Sequence, residues 1–319
     1  MLVQVFPRRA TALFVSAVVA ACAATDVSGL PPLPPGRTVI AGGEELFVRQ
    51  TGSGPDVVLL HGLADSSLGW QFVEGPLIDA GYRVTVWDAL GSGRSAKPTD
   101  GDYSLDAHVD RLAAVLDTVG VERAIVIGHS LGGTTALRFA HRHPERAAAL
   151  CLIDPAAYRD GAIRRRWLWN VPLLAECVLG LLSTEMVVEI ALAQNFTDLD
   201  RVPDELRRLF LREARREGAI AALIAQQRQV IPDDADAWEA GHRTIRAPTL
   251  VLFGEQDAIV PFAQGCRLVR DVPGTKLVLL PDLAHAPQLE RPDLVLRHLL
   301  PFLAAQHAAT PAARTPTMR

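Results

Sequence analysis

Ile125-Val-Ile-Gly-His-Ser-Leu-Gly-Gly133 sets a serine between two glycines where an apolar, β-branched run gives way to a helical pattern. A strand must therefore turn sharply into a helix at Ser130. Such a turn holds the serine in a strained backbone conformation and lifts its hydroxyl clear of the sheet. The residues two before and two after come too close to carry a β-carbon, and they are Gly128 and Gly132. Upstream, Arg123-Ala-Ile-Val-Ile127 reads as a buried strand; downstream, small and large apolar residues alternate from Leu131 to His143 and stop at Pro144.

The same alternation of elements extends outward from the turn. Short apolar runs at Val57-Val-Leu-Leu60, Val84-Thr-Val-Trp87, 124–127, 148–153, 249–253 and 276–280 read as strands of a parallel sheet buried on both faces. Helical patterns over 104–119, 131–143, 262–271 and 289–303 fall between or after them. This order predicts right-handed crossovers in a doubly wound α/β sheet, with ligands bound beyond the carboxyl ends of the strands. Residues 156–246 carry helical patterns without a convincing strand, so they read as a helical cap splitting the core into 37–155 and 247–304.

A serine hydroxyl is a weak nucleophile at neutral pH and needs an imidazole base, itself oriented by a carboxylate. Among nine histidines, His285 follows a late strand in Leu280-Pro-Asp-Leu-Ala-His-Ala-Pro287. His141, His143 and His298 lie in helical patterns, while His61 and His129 precede the wrong elements to act as the base. For the carboxylate there are two candidates. Asp257, after the 249–253 strand, is favoured; Asp154, after the 148–153 strand, competes with it. Two backbone N–H groups are needed for a developing oxyanion. Leu131 after the nucleophile and Leu63 in His61-Gly-Leu63 are placed to supply them.

These residues resemble the α/β-hydrolase superfamily. The resemblance rests on Leu60-His-Gly62, Trp87-Asp-Ala-Leu-Gly-Ser-Gly-Arg-Ser95, Gly128-His-Ser-Leu-Gly-Gly133, Phe253-Gly-Glu-Gln-Asp257, Ala284-His285 and Gln288-Leu-Glu-Arg-Pro292. It implies a mostly parallel sheet of about eight strands, and it points to the helical-capped branch with esterases, cofactor-free haloperoxidases and meta-cleavage-product hydrolases. Dehalogenases and epoxide hydrolases of that branch carry an aspartate nucleophile, so Ser130 argues against their chemistry. Ala284 stands where the family commonly has glycine.

A net charge of −4 and an isoelectric point near 6.1 give no basic footprint for nucleic acid. Cysteines at 22, 151, 177 and 266 lack metal-site spacing, so no structural metal is expected, and no cofactor is expected either. Arg8 and Arg9 ahead of the apolar run 10–21 read as a signal segment over 1–22, and Val19-Ala-Ala-Cys22 resembles a bacterial lipobox. Lipidation at Cys22, a proline-rich tether over 23–36 and a mobile tail over 305–319 are then expected, with the domain exported and held at the cell envelope. In the cap, Trp167-Leu-Trp-Asn-Val-Pro-Leu-Leu174 and Val187-Val-Glu-Ile-Ala-Leu192 are apolar enough to suit a small hydrophobic ester. Arg164-Arg-Arg166 reads as a solvated basic helix end, with contact to anionic lipid as the competing reading.

The sequence thus predicts an exported serine esterase working through an acyl-enzyme. Hydrolysis of a carbon–carbon bond is the alternative within the same machinery. A non-catalytic ligand-binding lipoprotein is the alternative of another class.

Overall fold

The computed structural model describes residues 27, 29–30, 32–159, 179 and 181–309. The expected signal segment, Cys22, residues 164–166 and 167–174, and most of the expected tail lie outside the described residues.

Eight strands form one sheet: β1 (Arg37–Ala41), β2 (Glu44–Thr51), β3 (Asp56–Leu60), β4 (Arg83–Trp87), β5 (Ala124–His129), β6 (Ala147–Ile153), β7 (Thr249–Gly254) and β8 (Lys276–Leu280). Their order is β1-β2-β4-β3-β5-β6-β7-β8. β3 to β8 run parallel, while β1 and β2 are antiparallel to their neighbours. Six strands lie where the apolar runs predicted them. β1 and β2 had no such signal, because β1 is largely exposed and β2 begins and ends in polar residues. They form a hairpin in which Ala41 pairs with Glu44, and the two turn residues, Gly42 and Gly43, both have positive φ. That backbone matches the strand twist and strongly favours glycine.

The parallel strands bury alternate side chains on opposite faces, as the two-residue strand period requires. Val58, Leu60, Val126 and Leu152 pack on one face with residues of α2 (Leu105–Thr118), α3 (Leu131–Arg142) and α8 (Ala263–Asp271). Val57, Leu59, Ile125 and Ile127 pack on the other against α1 (Glu74–Asp79) and α9 (Pro292–Ala309). α2 starts at Ser104, whose hydroxyl accepts from Ala107 N–H and satisfies a first-turn donor.

Between β6 and β7 the described residues contain no strand. They hold α4 (Thr184–Asn195), α5 (Asp204–Ala214), α6 (Ala219–Gln229) and α7 (Ala235–Gly241). Val188, Leu192, Leu206 and Leu211 from α4 and α5 form a separate apolar cluster with Ala286 and Leu289, beside His285. Burial of these side chains seats the helices against the carboxyl ends of the strands. Among the described residues, no helix is long and apolar enough to cross a membrane.

Candidate active site

The topology reverses around β3 and β5, and ligand sites of open parallel sheets form at that reversal. Ser130 follows β5 with φ 50° and ψ −116°, a conformation costing a non-glycine residue on the order of 1–3 kcal/mol. Close packing holds it there. A β-carbon on Gly128 would stand 2.3 Å from the Gly132 carbonyl oxygen, and one on Gly132 would stand 2.1 Å from that of Leu60. Both glycines are therefore required for helix α3 to begin where it does.

Three side chains from distant parts of the chain converge. Ser130 Oγ lies 2.8 Å from His285 Nε2, and His285 Nδ1 lies 2.7 Å from Asp257 Oδ2. The carboxylate acceptor fixes the tautomer: Nδ1–H donates to Asp257 and Nε2 accepts from the serine hydroxyl. Asp257 Oδ1 in turn accepts from Ile259 N–H at 2.7 Å and Val260 N–H at 2.9 Å. The His285 and Asp257 side chains are 4% and 1% exposed, so this charge-bearing pair sits away from bulk water.

Of the two carboxylates the sequence offered, the structure sets Asp257 against the imidazole. Asp154 lies beside the pair: its Oδ1 accepts from Gly254 N–H at 2.8 Å, and it is fully buried. Burial, then the neighbouring Asp257 charge, pushes its carboxyl well above the ordinary aspartate range. Asp154, Asp257 and His285 each bring one ligand-type atom within 4.8 Å of the others. Both ring nitrogens of His285 are already committed, to Ser130 and Asp257.

Leu131 opens α3, where a first-turn N–H has no acceptor within the helix. Leu63 follows β3 in a loop fixed by His61, whose Nδ1–H donates to the Gly62 carbonyl at 2.7 Å while Nε2 accepts from Ala89 N–H at 3.0 Å. Burial lowers the His61 pKa and keeps the ring neutral for this paired role. Gly62 passes so close to the nucleophile that a β-carbon there would lie 3.3 Å from Ser130 Cβ. The turn at Gly62 thus runs directly beside the nucleophile and the start of α3.

Three supporting residues lie inside the family-like stretches, but nothing in the sequence assigned them a partner. His129 donates from Nε2 to the His285 carbonyl at 2.6 Å, their rings 4.9 Å apart, and burial followed by His285 pushes its pKa down to about 3. Glu290 accepts from Thr197 N–H at 3.2 Å and Ala284 N–H at 3.4 Å, joining the segment after α4 to the residue before His285. Asp88 accepts from Ser67 N–H and Arg94 N–H, bracing the loops after β3 and β4. These bonds span 6 to 156 residues, and the longest of them link parts of the chain that no local motif connects.

An alpha/beta hydrolase fold family model matches residues 55–292. A 2-hydroxy-6-oxononadienedioate/2-hydroxy-6-oxononatrienedioate hydrolase of Paraburkholderia phymatum is 32% identical over 282 residues, covering 83% of this chain and 93% of the relative. A 2-hydroxymuconate semialdehyde hydrolase of Pseudomonas putida is 29% identical, covering 86% and 95%. Among solved structures, a thermophilic esterase from Thermogutta terrifontis is 27% identical with a TM-score of 0.70, covering 86% of this chain and all of that one. The match over most of the chain and the similarity to these enzymes agree with the fold: the chain belongs to the alpha/beta hydrolase fold family and is a hydrolase.

Proposed function

We propose that the protein is a serine hydrolase that cuts a carbon–carbon bond beside a ketone, in a vinylogous diketone of the ring-fission type. The mechanism rests on one observation, the Ser130–His285–Asp257 chain of hydrogen bonds at 2.8 and 2.7 Å. The bond cleaved is argued from the relatives. Their named substrates carry enol, oxo and carboxylate groups but no ester, so hydrolysis of such a molecule must sever carbon from carbon. The sequence alone put carboxylic esters first, and the relatives reverse that order.

In this reading Ser130 Oγ attacks the ketone carbon as His285 Nε2 takes its proton. The carbonyl oxygen becomes an anion facing Leu63 and Leu131 N–H. In the diketone tautomer, collapse breaks the bond to the adjacent CH2 carbon, whose electron pair flows through the conjugated enone onto the distant ketone oxygen as a dienolate, and His285 returns the proton to that fragment. Water, deprotonated by His285, then releases the acyl group from Ser130. Asp257 holds the ring and stabilises the imidazolium that forms twice per turnover.

Ester hydrolysis is the second reading, favoured by the esterase neighbour and by the apolar cluster of α4 and α5 beside His285. It differs only in the leaving group, an alkoxide in place of a stabilised carbanion. Lipidation at Cys22 and residence at the cell envelope are proposed on the motif Val19-Ala-Ala-Cys22.

The test is a paired assay of kcat/KM. A 2-hydroxy-6-oxo-dienoate is followed by loss of its chromophore beside p-nitrophenyl esters of graded chain length. Turnover of the dienoate well above that of every ester is expected. Ester turnover with an untouched dienoate would replace the first reading by the second.

A further inference from the structure

Asp154 and Asp257 place two carboxyl groups in one dry site, and their surroundings are unequal. Asp257 accepts three hydrogen bonds, from Ile259 N–H, Val260 N–H and the imidazole of His285. Asp154 accepts one, from Gly254 N–H to Oδ1. Its Oδ2 is buried and meets no donor. An ionised Asp154 would leave that oxygen uncompensated against a neighbouring anion, a cost that buried charges avoid by taking a proton. Once protonated, Asp154 becomes a donor, and Asp257 lies beside it: Asp154, Asp257 and His285 each bring one oxygen or nitrogen within 4.8 Å of the others.

We propose that Asp154 is a positioning residue: a neutral carboxylic acid whose O–H donates to Asp257, giving that carboxylate a fourth donor and fixing its bond to His285. Asp154 follows β6 with a positive φ of 45°, beside β7, which ends at Gly254 and leads into the turn that carries Asp257. Asp and Asn tolerate that conformation better than most side chains. The titratable groups around it are Asp257 after β7, His285 after β8 and, across the His285 ring, His129 of β5. Burial holds His129 neutral, and burial together with the Asp257 charge favours the protonated form of Asp154. The role assigned to Asp154 rests on the acyl-enzyme reading, whereas its protonation does not.

The experiment therefore reads protonation and chemistry separately, on the full chain. Infrared difference spectra of the resting protein minus Asp154→Asn at neutral pH are expected to show the carbonyl stretch of a protonated carboxylic acid. A carboxylate band in its place would overturn the proposal, whatever the enzyme turns over. The second measurement is the rate at which a fluorophosphonate labels Ser130, followed against pH. Asp154→Asn keeps both a donor and an acceptor and is expected to label within a few-fold of the parent, with the acidic limb unmoved. Asp154→Val, which has neither, is expected to label at least tenfold more slowly. An acidic limb displaced downward by a pH unit or more in Asp154→Asn would mean that a negative charge had been removed, and would also overturn the proposal. A parent protein that takes no label but shows the acid band would sink the acyl-enzyme reading and leave the proton on Asp154.

Discussion

Replacing Gly132 with alanine tests the site through the backbone alone. The added β-carbon would stand 2.1 Å from the Leu60 carbonyl oxygen and 2.6 Å from its carbon, whereas ordinary contact begins at 3.4 Å. Both atoms are main chain, so no rotamer relieves the overlap. The start of α3 and the end of β3 must separate by roughly 1 Å, in a packed interior that resists such strain. Those two segments carry the proposed oxyanion donors, Leu131 N–H and Leu63 N–H. Misplacement by 1 Å costs about 10²-fold in rate, and complete loss of one donor about 10²–10³. Overpacking adds about 1–3 kcal/mol of destabilisation. Steady-state kinetics and urea unfolding of Gly132→Ala are thus expected to show kcat down by about 10² or more, KM little changed and a folded protein of reduced stability. A folded variant with the parent kcat would refute the assignment of these two N–H groups.

Asp257→Asn is expected to lower kcat by about 10⁴, because an amide can hold the imidazole in the wrong tautomer; stopped-flow acylation kinetics check it. His108 is buried, and desolvation, then Arg111, pushes its pKa down to about 3, so the folded state stays neutral where the unfolded chain protonates near 6.5. The unfolded state then binds more protons below that value, and stability is lost as pH falls. From pH 6.5 to 5 the parent should lose about 2 kcal/mol relative to His108→Leu in urea unfolding, and a constant difference would contradict the neutral assignment. Expressed in a bacterial host, the full chain is expected to fractionate with membranes and to carry a fatty-acyl mass increment on Cys22. Cys22→Ser should abolish both, and a soluble, unmodified parent protein would show that ordinary signal cleavage operates.

The turn around Ser130 was legible because its demands are local: two glycines, a strand before and a helix after. The parallel strands were legible because burial on both faces makes them continuous apolar runs, whereas Arg37, Glu44, Arg49 and Gln50 hid β1 and β2. Gly42-Gly43 was the one local sign of that hairpin. The order Ser130, Asp257, His285 follows from strand ends, but Asp154 also follows a strand. Only the distance from Nδ1 to Asp257 Oδ2 separates the two aspartates. The supports at His61, His129 and Glu290 depend on long-range hydrogen bonds, with partners 28, 156 and 93 residues away. Sequence periodicity carries no trace of such partners.

The acyl-enzyme is tested most directly by the mass of the protein after reaction with a fluorophosphonate. A single adduct is expected on the peptide that contains Ser130, formed by the parent and absent from a folded Ser130→Ala that has also lost steady turnover. A label on another residue, or undiminished turnover in Ser130→Ala, would contradict Ser130 as the nucleophile.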